Sequence, residues 1–233
     1  TAPSPRRQSP ASGAAKAPRR ARRDSDTRAR LIASGLDVFG RQGFEGASTR
    51  AIAKGAGANL AAIVYHFGSK EGLHLAVAEH VAAAILARIG PTLAGIATPE
   101  SAASPPAARA ALKLLVATFV DVMLGDAEAE HWARFIVREQ MQPTAAFDVM
   151  YRFMGNAALV ATRLTAVALG RREDATVRIR VFTFLGQVLV FRVANALVLR
   201  RMEWREIGLR ERTQVKKIVL GQIDSILDAE LSG

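Results

Sequence analysis

Residues 48–70, STRAIAKGAGANLAAIVYHFGSK, constrain this chain more than any other stretch. They read as two short helices joined by a tight turn. Ser48 is placed to cap the first helix, with Ile52 and Ala53 facing inward and Arg50 and Lys54 facing out. Gly55 and Gly57 stop that helix, because glycine adopts the positive φ that a helix end needs. Asn59 restarts the chain as the cap of a second helix, 60–67, in which Ile63 and Phe67 share one face. Gly68 closes it and Ser69 caps the next. Two helices around a glycine-containing turn predict a helix-turn-helix, whose second helix enters the DNA major groove. Asn59, Ala61, Ala62, Tyr65 and His66 fall on the side of that helix opposite Ile63 and Phe67, and so are expected to be exposed.

Over about 55 residues the chain resembles the N-terminal domain of TetR-type transcriptional regulators. The marks are Ala33 and Phe39, Gly43-Phe44, Thr49-Arg50 with Ile52-Ala53, Ala56-Gly57, Tyr65-His66-Phe67 and Ser69-Lys70-Glu71. The resemblance implies DNA contacts at Ser48, Thr49 and Arg50, along the recognition helix from Asn59 through Leu60, Ala61, Ala62 and Tyr65 to His66, and at Lys70 for phosphate. Hydroxyls, helix N-termini and cations suit phosphate, and Arg50 can also reach a guanine edge. The sequence departs from the commoner family pattern at Leu60 and Val64, which cannot donate hydrogen bonds; apolar contact with thymine methyls is the reading left there. Further on, FIVREQMQPT (135–144), GQVLVFRVAN (186–195) and Trp204 resemble the CecR-like branch, and that resemblance implies control of drug-transport genes.

Charge supports nucleic acid less than its total suggests. The net charge is +11, yet residues 1–23 hold Arg6, Arg7, Lys16, Arg19, Arg20, Arg22 and Arg23 with no acid, so most of the excess lies in one tail. Residues 1–24, rich in Pro, Ser, Ala and Arg, are expected to be disordered. They form either a basic arm that tracks phosphates or a solvated tail without a role. No cysteine is present, which excludes disulfides and thiolate chemistry. The first residues carry no apolar run, so no secretory signal is expected, and the longest apolar run, 181–191, contains Thr183 and Gln187 and is too short to span a bilayer. The expectation is a cytoplasmic protein without a membrane partner.

The helical period predicts an all-α chain: an N-terminal three-helix unit at 25–70 and a C-terminal ligand-binding and dimerisation bundle at 71–233. Asp26 is the expected cap of a first helix at 27–41 with Leu31, Ile32, Leu36 and Phe39 buried; Gly43 ends it and Phe44 plugs the core. A fourth helix, 70–89, carries apolar residues on more than one face and is expected to lie between the two units as a lever. Gly90-Pro91 is expected to break it, with a loop to Ala107. Further helices are expected at 107–124, 128–140, 144–169, 174–201 and 211–231.

A ligand pocket is expected among His131, Trp132, Phe135, Arg138 and Gln140 on one short helix, with Gln187 from another; ion pairs or an interface explain the polar members equally well. The stripes Val181, Phe184, Leu185, Val188, Phe191 and Val215, Ile218, Val219, Gln222, Ile226, Leu227 are expected to pair across a homodimer axis, the alternative being burial within one chain. His66, His74, His80 and His131 are scattered, so no metal site is expected; no phosphate loop or nucleophile motif is present, and no cofactor or enzyme activity is expected. The reading is a dimeric regulator that binds a double-stranded operator and a small-molecule effector. A constitutive DNA-binding protein without an effector, and a helical protein that only sequesters a ligand, are the alternatives.

Overall fold

The structure, a computed structural model, describes residues 19–125 and 127–231. Among the described residues ten α-helices run in order: α1 Arg19–Gly46, α2 Thr49–Gly55, α3 Leu60–Phe67, α4 Lys70–Ile96, α5 Pro105–Leu124, α6 Ala127–Met141, α7 Ala145–Ala168, α8 Ala175–Val193, α9 Asn195–Met202 and α10 Leu209–Leu231. Among the described residues there is no strand, and the chain is all-α. Two apolar cores organise it. The first gathers Leu31, Ile32, Leu36 and Phe39 of α1, Ile52 of α2 and Ile63 of α3 around the N-terminal half of α4. The second packs α5, α7, α8 and α10 around the C-terminal half of α4, with Val120, Val188 and Leu227 fully buried.

Helix α4 belongs to both. Leu73, Val77 and Val81 lie in the first core and Ile89, Leu93 and Ile96 in the second, which makes it the rigid strut between them. By length and composition it is apolar enough to cross a membrane, but most of its large apolar residues, Leu86 excepted, pack into these two cores.

Several expected boundaries moved. Helix α1 begins at Arg19, so residues 19–24 are helical, and Asp26 is no cap: it sits inside the helix, 3.4 Å from Arg30. Residues 1–18 lie outside the described residues. The interruption at Gly43 is real (φ 73°, ψ 176°), although a last turn follows it to Gly46. Gly90-Pro91 does not end α4. The helix runs on to Ile96 because Leu93 and Ile96 bury into the second core and Thr92 meets Thr118 of α5 at 3.0 Å. Pro105 and Pro106, expected in a loop, open α5 behind the Ser104 cap, where a missing amide costs nothing. The expected single helix 174–201 is two: α8 and α9 meet at Ala194 with a bend of 77°.

The two stripes expected at a dimer axis are largely intrachain. Val181, Phe184 and Val188 of α8 and Val215, Val219 and Leu227 of α10 are buried within the second core. Periodicity reveals a stripe, not its partner. Ile218 of the α10 stripe is itself 53% exposed, and outside the two stripes Ile179, Phe182, Val190 and Val193 of α8 and Leu197 of α9 are also left in solvent.

Candidate nucleic-acid interface

The helix-turn-helix is built by local chemistry. Ser48 Oγ accepts from the Ala51 amide at 3.4 Å and starts α2. Gly57, at φ 59°, ends it: its amide donates to the Lys54 carbonyl at 3.1 Å and that of Ala58 to Ala53 at 2.9 Å, which satisfies two carbonyls left over at the helix end. Asn59 Oδ1 accepts from the Ala62 amide at 2.9 Å and begins α3; Ser69 Oγ does the same for Gly72 at 3.1 Å and begins α4. Ile52, Ala53, Ala56 and Ile63 anchor both helices on the core, and Ser34 of α1 donates to the Ile52 carbonyl at 2.8 Å.

What remains outside is a compact surface. Asn59 and Ala61 are exposed, and Leu60, Val64 and Tyr65 are 46%, 63% and 72% exposed. Ser48 and Arg50 are exposed beside them and Thr49 is half-buried; among the described residues no ion pair engages Arg50. Two residues expected outside are only partly so. Ala62 leans on the core, and His66 is half-buried with its ring edge-on to Tyr65 at 4.8 Å. Lys70 is turned back into the chain: its Nζ lies 3.4 Å from the Glu45 carbonyl and 4.5 Å from the Phe44 ring centre. The structure also places Arg28 of α1 next to the end of α3, its guanidinium 5.3 Å from the Phe67 ring centre. Sequence reasoning had no signal for that neighbour, because it depends on how α1 crosses α3.

The six residues expected at a ligand pocket do not converge, and Gln140 is exposed. Trp132 and Phe135 of α6 are fully buried in the first core, beneath the DNA-reading unit. His131 lies 4.0 Å from Asp37 of α1, and Arg138 donates to the Arg41 carbonyl at 2.8 Å, near the Gly43 interruption. Helix α6 is thus clamped to α1. Under it, His74 of α4 is ringed by Phe39, Phe44 and Phe135 at 4.5, 4.9 and 5.3 Å. Burial there pushes its pKa down to about 4, and the positive charge of Lys70 adds in the same direction. Its Nε2 stands 3.2 Å from Glu139 Oε1 but off the hydrogen-bond direction, while Glu139 Oε2 accepts from the amide and hydroxyl of Thr144 at 3.1 and 2.8 Å.

Gln187 is elsewhere. It lines a cavity of about 320 Å³ between α8, α9 and α10, with Val190, Phe191, Met202, Trp204, Gln214, Val215, Ile218, Val219 and Gln222. No lining residue is ionisable, and the Oε1 of Gln187 is buried without a hydrogen-bond partner. Among the described residues no group of His, Asp or Glu is arranged to hold a metal.

Two family models match this chain: the model for bacterial regulatory proteins of the tetR family at residues 31–77, and that for the C-terminal domain of the HTH-type transcriptional dual regulator CecR at residues 108–230. The HTH-type transcriptional dual regulator CecR of Shigella flexneri is 32% identical over 207 residues, covering 84% of this chain and 89% of its own. The chain belongs to the TetR family, in its CecR branch. This TetR-family chain is also 46% identical over 59 residues to the regulatory protein RaaS of Mycobacterium tuberculosis, covering 25% of this chain and 27% of that one. Solved TetR-type structures share the fold. AibR, in complex with isovaleryl coenzyme A and operator DNA, superposes with a TM-score of 0.62 at 14% identity, covering 84% of this chain and 97% of its own. FadR of Bacillus subtilis, in complex with stearoyl-CoA, gives 0.55 at 15%, covering 88% and 98%. The protein is thus a helix-turn-helix transcriptional regulator and not an enzyme.

Proposed function

We propose that this regulator is a repressor that binds a palindromic operator as a homodimer and is released by a small uncharged, largely apolar molecule. Residues 25–70 form the DNA-reading unit and residues 71–233 the ligand-binding and dimerisation part. The observation that carries the DNA-reading role is the exposed face of α3, where Leu60, Val64 and Tyr65 project from a helix capped at both ends and anchored at Ile63. Large side chains held out in solvent on a rigid helix need a partner surface, and Arg50 and the hydroxyls of Ser48 and Thr49 flank them with phosphate-binding chemistry. Two copies present two such helices to successive major grooves, roughly 34–36 Å apart.

For the effector, the Gln187 cavity is of a size that suits a small ligand. Its lining offers three glutamines and no cation, which disfavours a phosphate-bearing molecule such as a coenzyme A thioester and favours a neutral one with a donor for Gln187 Oε1. Val190 and Ile218, at the cavity edge, also belong to the exposed apolar face that a second copy would cover. A ligand there biases the angle between copies, α4 carries that bias into the first core, and the recognition helices lose their fit. By linkage, operator DNA weakens the ligand by the same factor. The regulated genes on this reading encode export or detoxification functions.

The test is a selection on random DNA with the purified chain at near-physiological salt, repeated with the Arg50→Ala, Tyr65→Ala double variant. One palindromic motif that vanishes in the variant supports the reading. Salt-sensitive binding with no motif, unchanged in the variant, would replace it with a constitutive, weakly specific DNA-binding protein. Because the chain has no cysteine, a pair introduced to staple α4 against α5 is the only disulfide possible, and oxidation should abolish release by any effector found.

A further inference from the structure

The first turns of α1 carry a second charge cluster that the helix-turn-helix does not use. Arg19, Arg20, Arg22 and Arg23 precede the first acidic residue, Asp24, and sequence reasoning placed them in a disordered tail. In the structure they are part of α1, continuous with the helix that packs on the first core. The side chains of Arg22 and Arg23 are exposed, and among the described residues no ion pair engages either. Asp26, one helical turn from both, faces Arg30 instead. Arg28, one and a half turns further on, rests against the Phe67 ring at the end of the recognition helix. The cluster is therefore carried on the same helix that packs beside α3, and not on a separate loop.

We infer that this arginine turn is a second DNA-contact surface, which holds phosphates outside the base pairs read by α3. The inference rests on the reading of α3 as the recognition helix. At 1.5 Å per residue, Arg22 and Arg19 stand about 9 and 14 Å beyond Arg28 along the α1 axis. That reach covers up to about 4 base pairs of flanking duplex at roughly 3.4 Å each. The contact is electrostatic and indifferent to sequence: the exposed Arg22 and Arg23 offer guanidinium forks to phosphate oxygens, with no base edge required. It gives the regulator a wider footprint than its motif and a steeper salt dependence than α3 alone confers.

The experiment compares the full chain with two double variants, Arg22→Ala with Arg23→Ala and Arg22→Lys with Arg23→Lys. Alanine keeps the helix while removing charge, and lysine keeps the charge. Affinity is measured against salt on the selected operator with long flanks, on the same operator trimmed to the motif, and on random duplex. Wild type should lose affinity on trimming. The alanine variant should bind long operator and random duplex more weakly by a similar factor of about ten, show a log–log salt slope shallower by about 1.8 per bound copy, and be insensitive to trimming. The lysine variant should keep the wild-type slope. A salt slope and trimming response unchanged in the alanine variant, on an operator that Tyr65→Ala still abolishes, would overturn this inference alone. Failure of wild type to select any motif would overturn the α3 reading and this inference with it.

Discussion

Asn59 acts where the chain must leave one helix and begin the next in a few residues, and its side chain holds the Ala62 amide at 2.9 Å. Asn59→Ala should cost about 1 kcal/mol of stability, read as a lower chemical-denaturation midpoint, and weaken operator binding because α3 loses its fixed start. Gly72 is tighter still. A Cβ at that position would drive into the Phe67 carbonyl oxygen, so Gly72→Ala should separate α3 from α4 and abolish specific DNA binding in a band-shift assay. His74 sets an acid limit. Its pKa falls from 6.5 to about 4 on folding, so between those values the unfolded chain takes up a proton that the native chain refuses. Stability is therefore fully present above pH 6.5 and declines as pH falls through that window, by about 2–3 kcal/mol at its acid end. Urea unfolding at pH 7.5 and 5 should show that loss in wild type and a smaller one in His74→Phe; equal losses would show that other groups govern acid stability.

Among elements, α6 and α4 carry the coupling between the cores. Helix α6 buries Trp132 and Phe135 under α1 and ties Arg138 to the Arg41 carbonyl, so it supports the DNA-reading unit from below. Arg88 of α4 stacks over the Trp132 ring at 4.1 Å and pairs with Glu128 at 3.0 Å, joining the same two helices from the solvent side. Trp132→Ala should remove about 3–5 kcal/mol and loosen both cores together, as one cooperative transition of lower midpoint. Pro91 has the opposite character. It sits inside α4 without an amide to give the Ala87 carbonyl, and only the burial of Leu93 and Ile96 carries the helix past it. Pro91→Ala should raise the midpoint by the equivalent of about 1–3 kcal/mol; a lower midpoint would mean that the second core depends on the local distortion.

At the scale of the molecule, the proposed homodimer would bury apolar residues that the fold leaves in solvent. Ile179, Phe182 and Ile218 are each more than half exposed on the two helices that also wall the Gln187 cavity. Phe182→Glu should yield a folded monomer by sedimentation, and with it a steep loss of operator affinity, since one recognition helix reads only half a palindrome. A dimer of unchanged stability would place the interface elsewhere.

The helix-turn-helix was legible residue by residue because its signals are local. Ser48, Asn59 and Ser69 cap with their own side chains, Gly57 adopts its own backbone angle, and Ile52 and Ile63 fall inward by helical period alone. Membership of the family followed from the same run of residues. What the tertiary structure decided was every question that needs a partner from far along the chain. Continuation of α4 past Pro91 depends on α5 and its neighbours, and the bend at Ala194 divides what periodicity ran together as one helix. The stripe at Val181 and Phe184 is apolar at helical spacing whether it meets its own core or another copy, and only packing tells the two apart. Trp132 and Phe135 look the same in sequence as pocket walls or as the floor of the DNA-reading unit. A helix's caps and period are written within a few residues of each other, whereas the surface that its apolar face meets is supplied by the rest of the chain.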